Sequence, residues 1–123
     1  MRRGALVLAG GRSTRMGRDK ATLPFGGRTL LEHVLLRLAP LVEEVLVVAR
    51  PDQALPPLPP GVRVAHDDVL DRGPLGGLAA GLAAATSEAL YATSCDVPFL
   101  VPGVVRLLFE RLVEVDVAVS EAE

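Results

Sequence analysis

The 123-residue sequence holds no asparagine, isoleucine or tryptophan, a single cysteine and a single lysine, and its aromatic fraction is 3%. A lone cysteine, Cys95, excludes an internal disulfide and fits a reducing compartment. No cluster of Cys and His has the spacing of a zinc site. The formal net charge is -2 and no basic block occurs, which argues against a nucleic-acid surface. No apolar run is long enough to cross a bilayer. The apolar stretch after Met1-Arg-Arg-Gly4 is too short for a signal-peptide core and has no cleavage pattern. These absences lead to the expectation of a cytoplasmic protein without nucleic-acid or membrane partners. All basic residues but Lys20 are arginine, a bias shared by thermophilic proteins and by GC-rich genomes.

What is present is leucine, valine and alanine, in a chain that is 50% hydrophobic. The length suits one domain, residues 1–123, with one core. The apolar run Gly4 to Ala9 reads as a buried strand. Residues 10–27, rich in Gly, Ser, Thr and Arg, read as a long loop. Thr29-Leu-Leu-Glu32 has capping-box spacing, and apolar residues then recur at helical intervals to Leu41, with Pro40 closing the helix. Glu44 to Ala49 predicts a second strand. Arg50 to Gly61, with five prolines, predicts a surface connection, and Val62 to Ala65 a third strand. Residues 66–73 form an acidic loop. Pro74 to Ala85 predicts a small-residue helix with proline in its first turn. Ala89 to Ser94 predicts a fourth strand, Pro102 to about Val113 a helix, and Val115 to Val119 a fifth strand. This alternation is the rhythm of an α/β fold whose parallel sheet is covered on both faces. Ligands bind such sheets at the carboxyl ends of the strands, where the loops 10–20, 66–73 and 95–98 leave.

Those loops hold the residues with chemical potential. Gly10 and Gly11 lack Cβ, so phosphate oxygens can approach their backbone N–H groups, and Arg12, Arg15, Arg18 and Lys20 add positive charge. The pattern describes either a polyphosphate cradle or a glycine turn with solvated arginines. It is neither a Walker A loop nor a Gly-x-Gly-x-x-Gly fingerprint. Lys20 offers a compact ammonium for one phosphate oxygen. Asp96 follows a buried strand and either caps the next turn or holds Mg²⁺ beside phosphates. Asp67, Asp68 and Asp71 are either solvated or contact nucleoside hydroxyls and base N–H groups. His33, His66 and Cys95 read as structural.

Three motifs then coincide in order. They are Leu8-Ala-Gly-Gly11 followed by Arg15-Met-Gly17 and Lys20, then Gly73-Pro-Leu-Gly-Gly77, then Cys95-Asp-Val-Pro98. On them, residues 4–123 resemble the N-terminal part of molybdenum cofactor guanylyltransferases. The resemblance implies a Rossmann-like three-layer α/β/α nucleotidyltransferase fold with a mostly parallel sheet. It also implies a reaction in which the phosphate of molybdenum-molybdopterin attacks the α-phosphorus of GTP and pyrophosphate leaves. Leu8, Ala9, Gly10, Gly11, Lys20, Asp67 and Asp96 would bind the nucleotide, with Asp68 the alternative to Asp67. Arg15 and Lys20 would neutralise the leaving group, and Asp96 would hold Mg²⁺. GTP, molybdenum-molybdopterin and molybdoenzyme maturation proteins are the partners implied.

The guanine preference rests on Gly10 and on Gly73 to Gly77, where related cytidylyltransferases carry Leu-Ala-Ala-Gly and a Ser-containing segment. Two departures stand against the family pattern. The family's nucleotide-contacting Asn after the second strand has no counterpart in Val47-Val-Ala-Arg50. Family members also run some tens of residues beyond the position of Glu123, so the sequence is expected to be truncated relative to them. Two other readings remain open: a nucleotidyltransferase with another base or acceptor, and a non-catalytic GTP-binding module that hands over cofactor.

Overall fold

A computed structural model describes residues 2–9, 24–25, 27–66, 74–94 and 102–111. Strand β1, Arg3–Leu8, is paired on both edges and buried on both faces, which is why its sequence is continuously apolar from Ala5 onward. A short antiparallel hairpin pairs β2 (Pro24–Phe25), inside the segment 10–27 expected to be loop, with β3 (Arg28–Thr29), just beyond it. Gly27 carries its turn at φ 83°, a conformation that favours glycine.

Helix α1, Leu30–Leu38, starts at the capping box anticipated from the sequence. The Glu32 N–H donates to Thr29 Oγ1 at 3.2 Å, and the Thr29 N–H donates to Glu32 Oε1 at 3.1 Å. The backbone hydrogen bond from Thr29, followed by that from its side chain, lowers the Glu32 pKa below its ordinary value. Leu31, Val34, Leu35 and Leu38 form the buried stripe. The α-helix ends at Leu38, and Pro40 sits in a following 3₁₀ turn, Ala39–Leu41.

Strand β4, Glu44–Ala49, is buried throughout. The proline-rich connection leads to β5, Arg63–His66, and packs Leu55 and Leu58 against the core as it passes. Helix α2 (Pro74–Ala84), β6 (Ala89–Ser94) and α3 (Pro102–Arg111) complete the described elements. The strand expected at Val115 to Val119 lies outside the described residues.

The four long strands form one parallel sheet in the order β5-β4-β1-β6. Side chains alternate between its faces. Ala5, Val7, Val45 and Val47 face α1 and α3, whose Val105 and Phe109 join the same core. Arg3 lies over the Phe109 ring at 5.0 Å from its centroid, tying the start of β1 to α3. Leu6 and Val48 face the other way, toward α2. A Cβ on Gly81 would stand 2.8 Å from Leu6 Cδ1 and 3.1 Å from Val48 Cγ2, so glycine lets the helix backbone approach the sheet closely. The result is the expected three-layer α/β/α arrangement.

The amino edge of the sheet is tied by one buried carboxylate, Glu44. It accepts hydrogen bonds from Thr86 N–H (3.1 Å), Thr86 Oγ1 (3.1 Å), Ser87 N–H (2.9 Å) and Ser87 Oγ (2.6 Å), and it pairs with Arg63. Burial alone would raise its pKa. The hydrogen bonds from the Ser87 hydroxyl and from Thr86 outweigh burial and bring it down to about 2.

Candidate functional site

The sheet register decides which loops meet. Leu8 lies opposite Val48 on one side and Ser94 on the other, and Ala49 lies opposite His66. The last described residues before the first motif, the acidic loop and the third motif therefore stand along one carboxyl edge: Ala9 before Gly10, His66 before Asp67, and Ser94 before Cys95 and Asp96. Three strand spacings separate the outermost of these, about 14 Å, a span that a nucleoside triphosphate bridges.

The strand order also reverses at this edge. From β1 the chain proceeds to β4 and β5 on one side, then crosses to β6 on the other. In open parallel sheets the binding crevice lies at such a reversal. Here it falls between the carboxyl ends of β1 and β6, at the entries to the glycine-arginine loop and the Asp96 segment. Helix α2 begins toward the same edge. Its carboxyl end runs into Thr86 and Ser87, which sit on Glu44 at the amino edge. Its opposite end, at Pro74, therefore lies toward the carboxyl edge of the sheet, and a helix N-terminus favours anions.

Leu8 and Ala9 are the expected site residues that the structure describes. Leu8 is half-buried, and Ala9 is buried at 5% exposure. Ala9 donates its N–H to the Val48 carbonyl at 2.8 Å, so this donor is engaged within the sheet. Its carbonyl accepts from Gln53 Nε2 at 2.7 Å. Gly10, Gly11, Arg15, Lys20, Asp67, Asp68 and Asp96 lie outside the described residues. Of the two histidines read as structural, His66 is exposed and His33 half-buried on α1.

Gln53 is the residue that sequence reasoning passed over. Its side chain accepts from the Arg50 N–H at 3.1 Å and donates to Ala9, 44 positions earlier. One signal was available: it is the only side-chain amide in the whole sequence. Among the described residues no three His, Cys, Asp or Glu side chains gather as a metal site, and no helix is long and apolar enough to cross a membrane.

The chain is similar to known proteins. The family model described as MobA-like NTP transferase domain matches residues 5–123. A probable molybdenum cofactor guanylyltransferase of Carboxydothermus hydrogenoformans is 40% identical over 114 residues, covering 92% of this chain and 56% of that protein. One from Mycobacterium avium is 41% identical over 124 residues, covering 97% of this chain and 62% of that protein. The chain thus spans about three fifths of the length of these relatives. Among solved structures, the 2-C-methyl-D-erythritol 4-phosphate cytidylyltransferase of Thermus thermophilus is similar. It superposes with a TM-score of 0.73 at 28% identity, covering 93% of this chain and 51% of that one. With a family match over nearly its whole length and a parallel sheet reversing at the strand that leads into the first motif, the chain belongs to the MobA-like NTP transferase domain family.

Proposed function

We propose that the chain carries the nucleotide-binding part of a molybdenum cofactor guanylyltransferase, which moves GMP from GTP onto the phosphate of molybdenum-molybdopterin. The observation that carries this reading is the register of Leu8 with Ser94 at the strand-order reversal, which brings the entries to the first and third motifs side by side. The names of the relatives at 40% and 41% identity support the choice of nucleotide and acceptor.

In this reading an acceptor phosphate oxygen forms a bond to the α-phosphorus of GTP. The bond from that phosphorus to the β-phosphate oxygen breaks, and pyrophosphate leaves with the electron pair. The acceptor brings its own nucleophile, so the protein contributes positioning and charge. Amide N–H groups of Gly10 and Gly11, with Arg15 and Lys20, hold the triphosphate and neutralise the departing pyrophosphate. Leu8 and Ala9 form the floor under the nucleotide, and Asp67 contacts it from the end of β5. Asp96, two residues beyond Ser94 in the sequence, would offer Mg²⁺ a hard carboxylate oxygen. When bound, the cation supplies positive charge to the α-phosphate.

The test is calorimetric titration with GTP and with CTP, each with Mg²⁺, on the chain and on Lys20→Ala and Asp96→Ala. Saturable GTP binding is expected, weakened about tenfold to a hundredfold by Lys20→Ala, the range for a lost charged hydrogen bond. Asp96→Ala should remove the Mg²⁺ dependence. A folded chain that binds neither nucleotide would sink the reading. Preference for CTP would favour cytidylyl transfer, the second reading, which the named activity of the Thermus thermophilus neighbour supports.

A further inference from the structure

The parallel ladder between β1 and β4 stops one rung short of what its register allows. Leu8 faces Val48, so Ala9 faces Ala49, and the Ala9 N–H donates to the Val48 carbonyl at 2.8 Å as a regular ladder requires. The next rung would run from the Arg50 N–H to the Ala9 carbonyl. Instead the Arg50 N–H donates to Gln53 Oε1 at 3.1 Å, and Gln53 Nε2 donates to the Ala9 carbonyl at 2.7 Å. The Gln53 N–H also donates back to the Arg50 carbonyl at 3.1 Å, which holds the side chain's own backbone in place. A side-chain carboxamide has been inserted into the rung as a substitute peptide. A carboxamide accepts from one backbone group through its oxygen and donates to the next through its nitrogen, as a peptide does, and the sequence contains a single one.

We infer that Gln53 is a positioning residue for the glycine loop: its amide spaces β1 from β4 at the carboxyl edge and sets the plane of the peptide joining Ala9 to Gly10. The Ala9 carbonyl and the Gly10 N–H belong to one planar unit. Fixing the oxygen therefore fixes the plane in which that N–H is offered to a phosphate. The inference rests on the nucleotide-binding reading above. It assigns to Gln53 no contact with the nucleotide.

The test compares Mg²⁺-GTP and GMP affinities of the wild-type chain, Gln53→Glu and Gln53→Met, with thermal unfolding of each. Gln53→Glu keeps the acceptor for Arg50 and loses the donor for Ala9, while Gln53→Met loses both at similar length. Near pH 7 both substitutions should weaken GTP binding about tenfold and leave GMP, which lacks the β- and γ-phosphates, within about twofold. For Gln53→Glu the gap to wild type should narrow as pH falls toward about 5. There the introduced carboxyl, facing a carbonyl oxygen, takes up a proton and can donate again. Should Gln53→Glu fail to fold, the GTP to GMP ratio of Gln53→Met decides. GTP affinity unchanged in both variants, or GTP and GMP affinities lost in equal proportion, overturns the role of Gln53 while leaving nucleotide binding intact. A wild-type chain that binds no nucleoside triphosphate overturns both.

Discussion

At the scale of single residues, the strongest polar interactions of the described structure sit at the edge away from the candidate site. Glu44 joins β4, the start of β5 and the segment between α2 and β6 through one carboxylate. Its pKa of about 2 lies below the ordinary 4.5, so the ionised form favours the folded state. That contribution is complete above pH 4.5 and is lost as pH falls from there toward about 2. Glu44→Gln should cost about 2–3 kcal/mol near neutral pH, because the hydroxyls, amides and Arg63 around it lose a charged partner. Denaturant melts from pH 7 to about 2.5 would check both halves. The deficit of the variant should shrink below pH 4.5, and a deficit constant with pH would show that ionisation is not what stabilises.

At the scale of elements, α2 depends on the absence of a side chain at Gly81, which is buried against Leu6 and Val48. Gly81→Val would push a branched side chain into both. Overpacking of this kind costs about 1–3 kcal/mol, and the small gain in helix propensity does not offset it. Thermal unfolding of the variant measures the balance, and a transition at or above that of wild type would mean that the helix shifts freely on the sheet.

The elements were legible where periodicity speaks. β1, β4 and β6 announced themselves as runs within a residue of their bounds, and α1 by its capping box, although its expected helical pattern ran on to Leu41, through the 3₁₀ turn that follows Leu38. The hairpin at Pro24 to Thr29 was not, because strands of two residues have no period. Gln53 and Glu44 were illegible for a different reason. Their partners are Ala9 in one case and Arg63, Thr86 and Ser87 in the other, and no local pattern marks a hydrogen bond that only the strand order creates. The site was legible as three motifs in sequence. Only the order β5-β4-β1-β6 shows that the strands leading into the first and third of them run side by side.

At the scale of the whole molecule, the sheet separates two tasks: the amino edge ties elements together, and the carboxyl edge carries the loops expected to bind. Nucleotide binding should therefore add stability on top of the Glu44 ties. GTP with Mg²⁺ at about a hundred times its dissociation constant should raise unfolding free energy by about 2.7 kcal/mol. Glu44→Gln should show the same increment from a lower base, since sites this far apart act independently. Differential scanning fluorimetry of both proteins, with and without GTP, reads this directly. An increment that vanishes in Glu44→Gln would mean that the two edges are coupled.

The order β5-β4-β1-β6 has a consequence for how the chain is made. Of the four strands of the described sheet β1 comes first in the chain and is paired on both edges, yet one of its two neighbours, β6, is the last of the four to appear. Until Ala89 to Ser94 have been translated, Arg3 to Leu8 present an apolar edge with unpaired N–H and C=O groups to everything nearby. The strand that leads into the glycine loop is thus the one most exposed to wrong partners during folding, and closure of the sheet waits on its most distant contact.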